Sequence, residues 1–136
     1  MLLAIDIGNS STKFGLYENN SLIKKLTIKT DHTKTASEAF TEIESEIPNK
    51  LEAIAISSVV KNLPASYKTL AETQYKVTPL LVDHTLDLGF SIQYFPPENC
   101  GADRLVDAFA ALHKFGSPVI VCDFGTATTI DLVNKN

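Results

Sequence analysis

The sequence predicts an α/β fold built on a mixed sheet with helices packed against it, followed by the start of a second domain. Three observations carry this expectation. The first thirty residues alternate apolar and polar side chains in runs separated by turn residues, as in strands joined by hairpins. Later segments alternate short apolar strands with stretches of helical spacing, the pattern of crossover units and parallel pairing. The turn near the N-terminus also recurs, in register, 117 residues further along the 136-residue chain. The expected order is βββαβαβα, then ββ.

Leu2 to Ile7 and Thr12 to Tyr17 read as paired strands, and Ser21 to Ile28 as a third across an Asn19-Asn20 turn. Ala36, Phe40, Ile43 and Ile47 recur at helical spacing, and Pro48 stops that helix. Leu51 to Ile56 reads as a strand, Leu63 to Tyr75 as a second helix and Val77 to Val82 as another strand. Leu86 to Pro97 is extended and irregular. Leu105, Phe109, Leu112 and Phe115 mark one face of a third helix, which Gly116 ends. Pro118 to Asp123 and Thr128 to Val133 form the last hairpin.

Composition bounds the function. With 44% apolar residues, 21% charged residues and a net charge of −4, this is the make-up of a globular protein without a basic patch. Nucleic acid and anionic membrane are therefore not expected partners. Apolar runs are too short to span a bilayer. The start MLLAIDIG lacks a basic n-region and meets Asp6 too early for a signal peptide. The expected location is the cytoplasm, with Cys100 and Cys122 as reduced thiols acting as small apolar fillers. His32, His84 and His113 lack ligand spacing, and Asp87, Asp107 and Asp131 are read as solvated or structural.

The first hairpin, AIDIGNSSTKFGLY, crowds a carboxylate, an amide, three hydroxyls and an ammonium into one turn. VCDFGTATTIDLV echoes it: Asp6 aligns with Asp123, Gly8 with Gly125, Asn9 with Thr126, Ser11 with Thr128 and Thr12 with Thr129. Two such turns in register indicate a duplicated domain start. Residues 1–116 are then a first domain, and 117–136 the opening hairpin of a second one that is cut short. Small residues let the backbone approach a ligand, and N–H groups with Ser and Thr hydroxyls suit phosphate oxygens. Lys13 adds positive charge, and Asp6 fits a magnesium anchor, directly or through water. Neither GxxxxGK[ST] nor GxGxxG is present. The plainer reading is a polar hairpin whose Asp6 and Asn9 bond only the turn backbone.

The second dense stretch is YFPPENCGADRLVDAFAA, from Tyr94. Pro96 and Pro97 stiffen the approach, and Asp103 and Arg104 fall in the first turn of the third helix. The helix dipole favours an ionised carboxylate there, competent as a base for a hydroxyl. Arg104 suits a substrate carboxylate through two parallel hydrogen bonds. The plainer reading makes Asp103 a helix-start residue and Arg104 a surface charge.

DIGNSSTK, GADR and DFGTATTID, in this order and at these separations, resemble type III pantothenate kinases. Those enzymes belong to the superfamily of acetate and sugar kinases, heat-shock ATPases and actin. The resemblance runs from Leu2 to Val133. It implies an actin-like (ribonuclease H-like) ATPase fold and ATP-dependent phosphorylation of pantothenate to 4′-phosphopantothenate, the first step of coenzyme A synthesis. By motif, Asp6, Ile7, Gly8, Asn9, Ser10, Ser11, Thr12 and Lys13 would bind the phosphates of ATP and its Mg2+. Tyr94, Gly101, Ala102, Asp103 and Arg104 would hold pantothenate, with Asp103 as proton acceptor. Asp123 would ligate a monovalent cation (K+ or NH4+), and Thr126 would contact ATP. The resemblance also implies a homodimer, and a whole second domain closing over the substrate. Two other readings share these motifs: an accessory regulator of gene expression, and a different small-molecule kinase or a phosphatase. An intact base and the missing basic patch stand against the regulator.

Overall fold

The structure is a computed structural model that describes residues 1–125 and 127–134. Strands β1 (Leu2–Ile7), β2 (Ser11–Glu18) and β3 (Ser21–Lys29) form an antiparallel meander, and Asn19 and Asn20 both take positive φ at its second turn. Helix α1 (Ala36–Phe40), β4 (Ala53–Ser58), α2 (Leu63–Leu70) with a π-helical turn over Ala71–Tyr75, and β5 (Leu80–Leu81) follow. A 3-10 turn (Pro97–Asn99), helix α3 (Ala102–Phe115) and the hairpin β6 (Val119–Phe124) with β7 (Thr128–Val133) complete the chain. Contacts divide these elements into two compact units, Met1–Val82 and the described residues from Asp83 on.

The first unit is a five-stranded mixed sheet in the order β3-β2-β1-β4-β5, with β4 parallel to both β1 and β5. Alternation sends Leu3, Ile5 and Ile7 of β1, Phe14 and Leu16 of β2, and Ile54 and Ile56 of β4 to one face. Phe40 of α1 and Tyr67 and Leu70 of α2 pack on that face. Phe14 meets Phe40 edge-on at 6.0 Å between centroids, and Phe40 meets Tyr75 at 6.1 Å. Asp6 and Lys13 stand on the opposite face.

Three elements depart from the spacing. The helix predicted through Ile47 ends at Phe40, although Ile43 and Ile47 stay in the core. Thr41 explains this: its hydroxyl bonds back to the carbonyls of Ser37 and Glu38 at 2.9 and 3.0 Å, and the chain tightens into a 3-10 turn over Glu44–Glu46. The start of α1 is a capping box, Thr35 with Glu38. The strand predicted over residues 51–56 runs two residues later, in register with β1 from Leu2↔Ala53 to Ile7↔Ser58. The strand predicted over 77–82 shrinks to Leu80–Leu81, because Pro79 has no N–H for the ladder.

In the second unit, α3 packs through Ala102, Leu105 and Ala108, whereas Phe109 and Phe115 are exposed. The predicted face is therefore rotated, with alanines where larger side chains would not fit. Phe109 instead stacks on the His113 ring at 4.0 Å. Alternation splits the hairpin: Val133 is buried and Val119 and Val121 are half-buried, but Ile120, Phe124, Ile130 and Leu132 stand out to solvent. Among the described residues no helix is long and apolar enough to cross a membrane.

Candidate active site

In the first unit the β1–β2 turn gathers most of the polar groups singled out in the sequence. Antiparallel pairing sets Asp6 opposite Lys13, whose Nζ lies 3.6 Å from Asp6 Oδ2. Parallel pairing sets Ser57 on the other flank of Asp6. Lys13, Asp6 and Ser57 thus form a row across three strands, and both charged groups are about half exposed. The Ser57 hydroxyl is buried without a partner among the described residues. No feature of the sequence near Ser57 marks it; the β1–β4 register alone places it there.

Gly8 makes the turn. Its N–H donates to Ser11 O at 3.0 Å, and a Cβ at this position would lie 3.0 Å from that oxygen. Asn9 and Ser10 are exposed and Ser11 is half-buried. Ile7 and Thr12 are different, because both side chains are in the interior. The Thr12 hydroxyl bonds that of Thr30 at 2.9 Å, and the Thr30 hydroxyl donates to Gly8 O at 2.8 Å. Thr30, at the end of β3, was not legible as a site residue, since nothing local ties it to a turn twenty residues earlier.

In the second unit Gly101 (φ −61°, ψ 143°) turns the chain into α3 without a side-chain cap. Ala102 is buried. Asp103 accepts the N–H of Arg104 on Oδ1 at 2.8 Å within the helix's first turn. The Arg104 side chain is bound on one edge by Asp131 of β7: Nε donates to Oδ1 and Oδ2 at 3.1 and 3.0 Å, and Nη2 donates to Oδ1. Tyr94 supports the guanidinium, with the ring centroid 4.9 Å from Cζ. This pairing holds Arg104 well above the ordinary arginine range, so it stays charged. Asp131, expected as solvated or structural, is this structural partner.

Tyr94, Cys100, Arg104 and Asp131, with Leu105 and Leu112, line an open cavity of about 860 Å³. Gly101, Ala102 and Asp103 lie outside its wall. Burial raises the Cys100 thiol above its usual value, with Arg104 opposing, as expected of a filler rather than a nucleophile.

Asp123 is exposed on β6 in the second hairpin, paired with Thr129. Thr126 lies outside the described residues. The constant offset of the two turns holds only for their first strands. Asp6 pairs with Lys13 and Ile7 with Thr12, whereas Asp123 pairs with Thr129 and Phe124 with Thr128. The second turn is one residue shorter, so Thr12 corresponds to Thr128 and Lys13 to Thr129, not Ser11 to Thr128 and Thr12 to Thr129. Asp123 consequently faces no lysine. Among the described residues no three His, Cys, Asp or Glu side chains cluster to hold a metal. A cation at Asp6 or Asp123 would take its other ligands from water, carbonyls or a phosphate, which magnesium accepts readily.

A model of the family described as type III pantothenate kinase matches residues 2–136. A type III pantothenate kinase from Anaeromyxobacter sp. (strain Fw109-5) is 41% identical over 140 residues, covering 98% of this chain and 55% of the relative. One from Halalkalibacterium halodurans is 36% identical over 141 residues, covering 99% of this chain and 56% of the relative. The chain spans about half the length of the curated relatives it matches. Among solved structures, a Baf family protein from Campylobacter jejuni, named as a transcriptional activator, superposes with a TM-score of 0.52 at 22% identity, over 97% of this chain and 48% of that one. That likeness concerns the fold alone.

Proposed function

The chain belongs to the type III pantothenate kinase family, and from that premise we propose that it works in the ATP-dependent phosphorylation of pantothenate to 4′-phosphopantothenate, opening coenzyme A synthesis. The observation that carries the reading is the Gly8 turn, where a close-approach glycine, exposed Asn9 and Ser10, and the Asp6–Lys13 pair meet. Here Lys13 clamps phosphate and Asp6 holds Mg2+ through water or directly. The backbone of Ile7 to Ser11 approaches the phosphates, while Thr12 anchors the turn from within. Bound magnesium supplies charge neutralisation for the transferred phosphoryl group.

In the second unit Arg104 receives the pantothenate carboxylate. Its Nε edge is taken by Asp131, and the opposite edge remains for a second anion. Tyr94 lines that pocket, and Gly101 and Ala102, outside its wall, set the start of the helix that carries Arg104. Asp103, in the first turn of α3, accepts the proton of the attacking hydroxyl. Asp123 carries a monovalent cation (K+ or NH4+) and Thr126 touches ATP. The setting proposed is a cytoplasmic homodimer, for which exposed Val106, Phe109 and Phe115 on α3 provide apolar surface.

The domain proposed is an actin-like ATPase domain over residues 1–116; the sheet order β3-β2-β1-β4-β5 supports it within Met1–Val82. The hairpin over 117–136 supports a duplicated second domain start. Its exposed pairs Ile120↔Leu132 and Cys122↔Ile130 match, in ladder register, the buried core pairs Leu3↔Leu16 and Ile5↔Phe14. Such a face is one that further chain would cover.

Asp6→Asn in the full-length protein tests the reading. Turnover should fall by about two or more orders of magnitude, as when a charge-stabilising group is lost, with unfolding unchanged. Wild-type turnover in this variant would reduce the turn to a structural hairpin.

A further inference from the structure

A turn that receives phosphate must present N–H groups and turn its carbonyl oxygens away, because a carbonyl dipole aimed at an anion repels it. In the turn over residues 8–11 all four carbonyls already have protein donors. The Gly8 oxygen accepts from the Thr30 hydroxyl at 2.8 Å, and the Ser10 oxygen from the Thr30 N–H at 3.1 Å. The Asn9 oxygen accepts from the Nε2–H of His32 at 3.2 Å, and the Ser11 oxygen from the Gly8 N–H at 3.0 Å. The N–H groups of Asn9 and Ser10 have no protein acceptor among the described residues.

The direction of the hydroxyl bonds follows from proton counting. A threonine hydroxyl has one proton. Thr30 spends it on Gly8 O, so in the 2.9 Å contact between the two hydroxyls Thr12 donates and Thr30 accepts. Both side chains are buried. The strand-borne Thr12 thereby fixes the rotor of Thr30, and Thr30 fixes the first carbonyl of the turn.

We propose that Thr30 is a positioning residue for nucleotide binding: with His32 it holds the carbonyls of Gly8, Asn9 and Ser10 on protein donors, leaving the N–H groups of Asn9 and Ser10 for the phosphates of ATP. The proposal rests on the reading of Asp6 to Lys13 as the ATP site. Thr30 itself touches no phosphate; it sets the polarity of the groups that do.

The test is steady-state kinetics of the full-length protein with ATP and pantothenate varied separately. Thr30→Val keeps the shape but removes the donor. It should raise KM for ATP about five- to thirtyfold while KM for pantothenate stays unchanged. Thr30→Ser, which keeps the hydroxyl, should restore the wild-type value. Lys13→Ala separates the two layers. If it weakens ATP binding and Thr30→Val does not, the positioning role is wrong; if neither does, the ATP site itself is wrong. Should Thr30→Val fail to fold, exposed His32→Ala serves instead, with an expected two- to tenfold rise in KM for ATP, roughly the loss of one hydrogen bond. An unmoved KM for ATP in that variant overturns the proposal.

Discussion

Arg104 meets Asp131 edge to edge. Nε of the guanidinium bonds both carboxylate oxygens, Nη2 shares one of them, and about three-quarters of each side chain is out of solvent. A guanidinium has two usable edges, so this contact fixes the orientation of Arg104 and leaves the other edge clear of Asp131, where the proposed reading puts the pantothenate carboxylate. Arg104→Lys should raise KM for pantothenate by roughly ten- to a hundredfold, the range of a charged hydrogen bond, because an ammonium cannot bridge two anions in a plane. Asp131→Asn should leave Arg104 half-partnered and lower stability by about 1–3 kcal/mol. Urea titration and substrate-saturation curves on the two variants check both outcomes.

On the proposed reading, a change at Asp103 separates binding from chemistry. Asp103→Asn retains a side-chain oxygen for the Arg104 N–H but cannot take a proton. Pantothenate should bind with near wild-type affinity by calorimetry, while phosphoryl transfer falls by about two to four orders of magnitude. Lost binding with intact turnover would reverse the assigned roles.

Much of the fold was legible because it depends on local patterning: the meander, the Asn19-Asn20 turn, α2 and the span of α3, though not its buried face, stand where the sequence puts them. What was not legible depends on partners distant in sequence. Thr41 ends α1 with a hydroxyl that looks no different from a surface threonine. Phe109 and Phe115 share helical spacing with Leu105 and Leu112, but the face of α3 that packs is the one carrying Ala102, Leu105 and Ala108. In the candidate site the polar turn and the GADR stretch announce themselves by composition. Thr30, Ser57 and Asp131 do not, since each reaches its place through strand register.

The pH dependence of stability follows from the buried phenols. Burial raises the Tyr67 and Tyr75 hydroxyls above the ordinary value of 10.0. Above that value the unfolded chain releases tyrosine protons that the folded one retains, so the stability present below pH 10 drains away as pH rises through the folded values. Urea midpoints should be flat from neutral to mildly alkaline pH and fall above 10. Tyr67→Phe should make that fall shallower; an unchanged slope would remove Tyr67 from the account.

The hairpin face predicts association. Ile120, Phe124, Ile130 and Leu132 are each more than 60% exposed on one face, and an uncovered apolar strand face pairs or stacks with copies of itself. The isolated 136-residue chain should sediment as oligomers, and Ile130→Lys with Phe124→Lys should shift it toward smaller species. Monomers at all concentrations in the unsubstituted chain would contradict the idea that this face is an unfinished core.

The central claim is met most directly by following phosphorus. Full-length protein is incubated with ATP, magnesium, potassium and pantothenate, and the products are resolved by phosphorus NMR. The expected result is stoichiometric ADP and a phosphomonoester on the primary hydroxyl of pantothenate, both lost in Asp103→Asn. ATP consumed without that ester, or an ester formed equally well by Asp103→Asn, would contradict the account.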